Sequence, residues 1–267
     1  MKPKVLVLRT AGTNCDEETA FAFAHFGGQV DLIHMTQLAS GKTKLRDYHI
    51  LAIPGGFTYG DDIESGRILA NELIVRLGED MCAFIGDKKL VLGICNGFQV
   101  LTKSGILPGP LDKKEADAHN SNQKATLTFN DSNKFEDRWV HLKPEGKSVW
   151  TKDLKPVVYF PVAHAEGKFA TEGSVLNKLK QNGQVAFRYI TADGGKPVYP
   201  ANPNGAMEDI AGITDRTGRV LGLMPHPERH FIFEHHPYWT RLPKNGKYGD
   251  GAQIFKNGIE YVKKTFA

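Results

Sequence analysis

Leu90-Val91-Leu92-Gly93-Ile94-Cys95-Asn96-Gly97 is the stretch on which the reading of this chain turns. Residues 90–94 form an apolar run with no polar alternation, which predicts a strand covered on both faces. A helix is predicted over 96–103, ending near Gly105. Between the two lies Gly93-x-Cys95-x-Gly97, the pattern of a nucleophile on a sharp strand-to-helix turn, with sulfur in place of a serine oxygen. Small flanking residues let the chain turn without clashes while the nucleophile sits in strained backbone. The turn aims the side chain at a helix N-terminus, where free N–H groups and the dipole favour a thiolate. That help matters, because a thiol with a pKa of about 8.5 is mostly protonated at neutral pH. The bland alternative is a buried structural cysteine, the commoner fate of this residue type. It is the reading adopted for Cys15 and Cys82, which lack such a setting.

Outward from this stretch the same rhythm recurs. Strands are predicted at 5–8, 30–33 and 50–53, and helices at 17–26, stopped by Gly27-Gly28, and at 63–77. Strand, helix, strand at this interval predicts an α/β fold with an open doubly wound, mostly parallel sheet flanked by helices, flavodoxin-like in kind. After Gly109 the character changes. Residues 113–122 read as a polar surface loop, and 125–129, 139–142, 157–162 and 185–190 as strands of a more antiparallel portion. Residues 210–214 and 220–224 predict a hairpin, and 251–266 a closing amphipathic helix. Without an internal repeat or a long linker, 1–267 is expected to form a single domain whose second half adds antiparallel strands to the sheet.

A thiolate acting on an amide needs a histidine to move protons and a third group to orient it. Of ten histidines, His226 stands out in Met224-Pro225-His226-Pro227-Glu228, just after a predicted strand. The flanking prolines restrict the backbone, and Glu228 faces the same way in extended chain. Ile53-Pro54-Gly55-Gly56-Phe57 ends another strand, where glycines let backbone N–H groups approach an oxyanion together with the N–H of Asn96. All three motifs fall at carboxyl ends of strands, where ligands of open α/β sheets collect.

Two other signals are set aside. Gly41-Lys42-Thr43 resembles the tail of a phosphate loop, but Thr36 stands where its first glycine belongs. His226, Glu228, His230, His235 and His236 cluster without metal-ligand spacing, so no metal site is expected. The 267 residues are 40% apolar with a net charge of +4 and carry no basic arm, so neither nucleic acid nor membrane is an expected partner. Three cysteines cannot all pair, and with no export signal in view they are expected to be reduced in the cytoplasm.

On these motifs the chain resembles the class I (triad) glutamine amidotransferases, and within them the glutaminase component of phosphoribosylformylglycinamidine synthase. The resemblance is carried by PGGFTYGD (54–61), GICNGFQ (93–99), PVAHAEG (161–167), NPNGAMEDIAGI (202–213) and LGLMPHPER (221–229). It implies Cys95 as nucleophile, His226 as general acid/base and Glu228 as its orienting partner. It implies oxyanion N–H groups on Gly56 and Asn96, and contacts to glutamine from Gly55 and Gln99, with His164 and Glu166 facing the glutamine pocket or a partner. No cofactor is expected on this chain. ATP and Mg²⁺ belong to a large synthase subunit that receives ammonia, in company with a small accessory subunit. Segment 124–150 and the tail after Arg229 look more like the glutaminase domain of fused, single-chain enzymes. The competing readings are another triad amidotransferase, delivering ammonia to a different acceptor, and a non-catalytic amidotransferase-like regulatory subunit.

Overall fold

The computed structural model describes residues 1–110, 123–244 and 246–267, so the loop expected at 113–122 lies outside the described residues. Four strands run parallel side by side: β1 (Lys4–Arg9), β2 (Gln29–His34), β3 (Ile50–Ile53) and β4 (Leu90–Ile94). A fifth parallel neighbour of β4, β11 (Val220–Leu223), comes from far along the chain. It is followed outward by β10 (Ile210–Thr214), β9 (Val185–Ile190), β6 (Glu136–Pro144) and β7 (Val158–His164), each antiparallel to its neighbour. The result is one nine-stranded sheet in the order β2-β1-β3-β4-β11-β10-β9-β6-β7. Parallel pairing at one end and antiparallel strands added at the other match the predicted architecture.

Helices cover both faces. Ile50 and Ile53 of β3 lie three residues apart and so point to opposite sides. Ile50 reaches Gly258 in α6 (Ala252–Thr265), whereas Ile53 packs on Gly97 in α4 (Asn96–Lys103). Helix α1 (Asp16–His25) shares the α6 face, where Phe23 meets Phe255 edge-on at 5.0 Å between ring centres. Burial on both faces explains why β3, β4, β10 and β11 are enclosed along their whole length, and why their sequences lack alternation.

Several elements differ from expectation. Helix α3 spans Arg67–Gly86, starting later and ending later than the predicted 63–77. Gly66 in left-handed backbone (φ 75°) delays its start, and the stripe Leu69, Leu73, Leu77, Met81 and Phe84 carries the buried face to its end. β5 (Ala125–Thr128) does not join the main sheet but pairs with β8 (Lys168–Thr171) in a separate two-stranded ribbon. β8 and the short α2 (Met35–Ala39) carry too little apolar periodicity to be read from sequence, whereas α5 (Gly173–Gln181), with Val175, Leu176 and Leu179 at helical spacing, is a helix the reading missed. Among the described residues no helix is long and apolar enough to cross a membrane.

The elbow between β4 and α4 is held by close contact. A methyl group on Gly97 would stand 1.9 Å from the Ile53 carbonyl oxygen, and one on Gly93 would meet Gly97 O at 2.6 Å. Gly97→Ala is therefore expected to destabilise the protein by at least about 3 kcal/mol, the upper range for forcing an atom into a packed core. Urea unfolding of the variant beside the wild-type chain measures this.

Candidate active site

Because β1, β3, β4 and β11 are parallel, the segments leaving them emerge at one edge of the sheet. These segments are residues 10–15, 54–58, Cys95 and 224–228. The first two are laced together: the N–H groups of Asn14 and Cys15 donate to Gly55 O at 3.3 and 3.2 Å, and Phe57 N–H donates to Gly12 O at 2.8 Å. Cys95 N–H donates to Leu223 O at 2.8 Å, tying the elbow to the strand that leads to His226. His226 N–H in turn donates to Pro161 O at 2.8 Å, so β7 also holds that loop in place.

Cys95 adopts φ 52°, ψ −106°, a region L-residues avoid, as a nucleophile at a strand-to-helix turn requires. It is 5% exposed, with Sγ 3.6 Å from Ala163 O. His226 Nδ1 and Glu228 Oε1 form a hydrogen bond of 2.5 Å. That pairing is not made along extended chain. His226 is extended, but Pro227–His230 is a 3-10 turn that folds the carboxylate back onto the ring. The side chains of Cys95 and His226 converge over Gly55, where an added methyl would lie 2.7 Å from His226 Cε1 and 3.4 Å from Cys95 Cβ.

Electrostatics follow from this enclosure. Burial alone would drive the His226 pKa down. The Glu228 carboxylate, then the Cys95 sulfur, outweigh burial and hold it well above its ordinary value. Among the described residues His226 Nε2 has no hydrogen-bond partner, which leaves it free to exchange a proton. A thiol beside an imidazole beside a carboxylate can attack an acyl carbon and protonate its leaving group. Gly56 N–H and Asn96 N–H donate to no backbone carbonyl among the described residues, as an oxyanion site needs.

The remaining expected site residues lie around this centre. Gln99 on α4 has both ends of its amide engaged: Nε2 donates to Glu166 O at 2.6 Å, and Oε1 accepts from Asn96 Nδ2 at 3.0 Å. The Glu166 carboxylate is 3.6 Å from Lys103 Nζ, which also donates to Ser65 O at 2.8 Å and so joins the two loops beside the elbow. His164 is buried behind the site, with Nδ1 3.1 Å from Asn130 Oδ1 and Nε2 3.5 Å from Asn204 Nδ2. Burial, and then the charge of His226, push its pKa down to about 3, so it is neutral there.

Sequence reading missed Cys15. It is buried, as expected, but it is no isolated packing residue: its Sγ is 3.9 Å from His226 Nδ1 and accepts from Arg229 Nη2 at 3.1 Å. The available signal was positional, since Cys15 follows β1 at the same sheet edge as the other motifs. Cys82, also expected to be buried, is exposed on α3. His230, from the histidine-rich tail, turns Nδ1 to the Tyr159 carbonyl at 2.7 Å.

Comparison with known proteins places this geometry. Residues 2–262 match the family described as the CobB/CobQ-like glutamine amidotransferase domain. The phosphoribosylformylglycinamidine synthase subunit PurQ of Dehalococcoides mccartyi is 44% identical, over 99% of this chain and 99% of that protein. The PurQ subunit of Methanococcus maripaludis is 42% identical over 98% of each. A chain in the structure of PurLQS from Thermotoga maritima superposes with a TM-score of 0.73 at 29% identity, covering 98% of this chain and 100% of that one. Relatives named as subunits thus match segment 124–150 and the tail along with the rest, so these parts are not peculiar to fused enzymes. The chain belongs to the glutamine amidotransferases, among the PurQ subunits of phosphoribosylformylglycinamidine synthase.

Proposed function

We propose that this chain is the glutaminase subunit of a phosphoribosylformylglycinamidine synthase, acting in purine biosynthesis in the cytoplasm. The observation that carries the reading is the meeting of Cys95 and His226 over Gly55, with Glu228 hydrogen-bonded to the far ring nitrogen at 2.5 Å. Cys95, its proton already held by His226, attacks the side-chain amide carbon of glutamine as the thiolate. The oxyanion that forms is stabilised by the N–H groups of Gly56 and Asn96. His226 then protonates the departing ammonia, leaving a γ-glutamyl thioester on Cys95. A water molecule, deprotonated by His226, releases glutamate and restores the Cys95 thiolate beside the protonated imidazole. Glu228 holds the ring tautomer and balances the imidazolium throughout. Gly55 leaves room for the two side chains, Gln99 and Glu166 line the glutamine side of the elbow, and His164 supports it from behind.

Ammonia is useful only if it reaches an acceptor before it is protonated and lost to solvent. The acceptor site therefore lies on a partner, a large PurL-type synthase subunit that binds ATP, Mg²⁺ and formylglycinamide ribonucleotide, together with a small PurS-type subunit. This chain needs no cofactor of its own for the steps above.

A glutamine-like alkylating agent is expected to label Cys95 and not Cys15 or Cys82, with glutamine protecting, as read by mass spectrometry of the digested chain. A label on either other cysteine moves the site. Glu228→Gln is expected to lower glutaminase turnover by about 10²–10⁴-fold, the usual contribution of positioned acid–base chemistry. Because Glu228 raises the His226 pKa, the same variant moves the alkaline limb of the rate profile to lower pH. An unmoved limb assigns that limb to another group. Finally, glutaminase activity of the chain alone is expected to be weak and to rise at least tenfold when the synthase subunits and their substrates are added. Equal rates would contradict the coupling.

A further inference from the structure

Cys15 takes no part in the steps above, yet its sulfur is built into the wall behind the imidazole. Cys15 Sγ, His226 Nδ1 and a Glu228 carboxylate oxygen all lie within 4.8 Å of one another, and all three residues are buried. Among the described residues this is the one group of three such side chains close enough to share an ion. Zinc holds sulfur at about 2.3 Å and nitrogen or oxygen at about 2.0–2.2 Å, which sets neighbouring ligands of a tetrahedron roughly 3.3–3.6 Å apart. The present separations, 3.9 Å from sulfur to Nδ1, 2.5 Å from Nδ1 to the carboxylate and no more than 4.8 Å from sulfur to carboxylate, lie on either side of that spacing. Side-chain shifts of about 1 Å would bring them to it.

A second observation concerns the carboxylate. Glu228 Oε1 pairs with His226, but Oε2 is buried and has no hydrogen-bond partner among the described residues, so it can still take a donor or a cation. Thiolate, imidazole and carboxylate together form the donor set of a borderline-soft divalent ion rather than of Mg²⁺ or Ca²⁺. Asn14 Oδ1, 3.1 Å from Cys15 Sγ, offers an oxygen at the edge of the group. The competitor is Arg229, whose Nη2 is 3.1 Å from the sulfur and whose Nε is 3.3 Å from Glu18. With 38% of its side chain exposed, Arg229 has room to swing toward solvent.

We propose that Cys15, His226 and Glu228 form an inhibitory site for a borderline-soft divalent cation such as Zn²⁺, separate from the nucleophile Cys95. On binding, the Cys15 thiol and His226 Nδ1 each give up a proton to solvent. Bonds form from the metal to Sγ, to Nδ1 and to a Glu228 oxygen, with no change of oxidation state. The imidazole is then fixed with its remaining proton on Nε2. It can no longer exchange that proton with the reacting groups, and Glu228 no longer balances it. The inhibitory consequence rests on the glutaminase reading; metal binding does not.

The test titrates the full-length chain, without glutamine or synthase, on a Cys82→Ser background that removes the exposed thiol. Co²⁺ is followed by its thiolate charge-transfer absorption, and Zn²⁺ by competition with a chromophoric chelator. The absorption is expected in the parent, to persist in Cys95→Ala and to vanish in Cys15→Ala, with Zn²⁺ bound at least about 100-fold more weakly in the latter. Removing the competing guanidinium in Arg229→Gln is expected to tighten Zn²⁺ binding by about tenfold. Should Cys15→Ala fail to fold, Glu228→Gln keeps both thiols and is expected to weaken Zn²⁺ binding by at least about tenfold. No absorption in the parent, absorption lost with Cys95 and kept without Cys15, or unchanged affinity in Glu228→Gln overturns the site. Because binding is read directly, a chain that binds metal but lacks glutaminase activity fails only the functional reading, and the converse fails only this one.

Discussion

The missing side chain at Gly55 is the constraint around which this edge of the molecule is organised. The sulfur of Cys15, the β-carbon of Cys95 and the ring of His226 all crowd the space a methyl group there would occupy. Three segments distant in sequence can share so small a volume only because the strands feeding them are parallel neighbours whose carboxyl ends coincide. Gly97 meets the same demand one layer down. Its hydrogen faces the Ile53 carbonyl, so α4 can press against β3 and present Cys95 at the edge.

Burial gives the electrostatics of the site their strength. An imidazole sealed from water would ordinarily lose its proton, and His164, enclosed without a carboxylate, does so. His226, equally enclosed, keeps its proton because Glu228 stands at hydrogen-bond distance. Two histidines thus take opposite protonation states in the same region, separated by the presence or absence of one buried anion. The same enclosure leaves the second oxygen of Glu228 without a donor and sets the Cys15 sulfur beside the ring. The chemistry and the proposed capacity to hold a cation are two consequences of one buried pocket.

Much of this was legible beforehand. The strands at 5–8, 30–33, 50–53, 90–94, 185–190 and 210–214 announced themselves by length and apolar continuity; the structure keeps the last four to the residue and extends the first two by one residue at each end. The ribbon of β5 and β8 was not legible as such, because a four-residue strand carries no mark of which sheet it joins. Helix α3 was misjudged at both ends: Gly66 marks its start only once its positive φ is known, and Met81 and Phe84 continue the buried stripe beyond the predicted stop. The pairing of His226 with Glu228 was foreseen, but through extended chain, whereas a 3-10 turn makes it.

By itself the sequence determined the parallel half of the sheet, the elbow carrying Cys95 and the proline-flanked histidine, because each is written in a local pattern of burial, turn chemistry and spacing. Only the tertiary structure decided that Cys15 stands against His226, that Cys82 faces solvent, and that Gln99, Glu166 and Lys103 knit two loops beside the elbow. The physical reason is separation along the chain. Cys15 and His226 are 211 residues apart, and no local rule of helix, strand or turn relates residues so distant until the sheet has set its strand order.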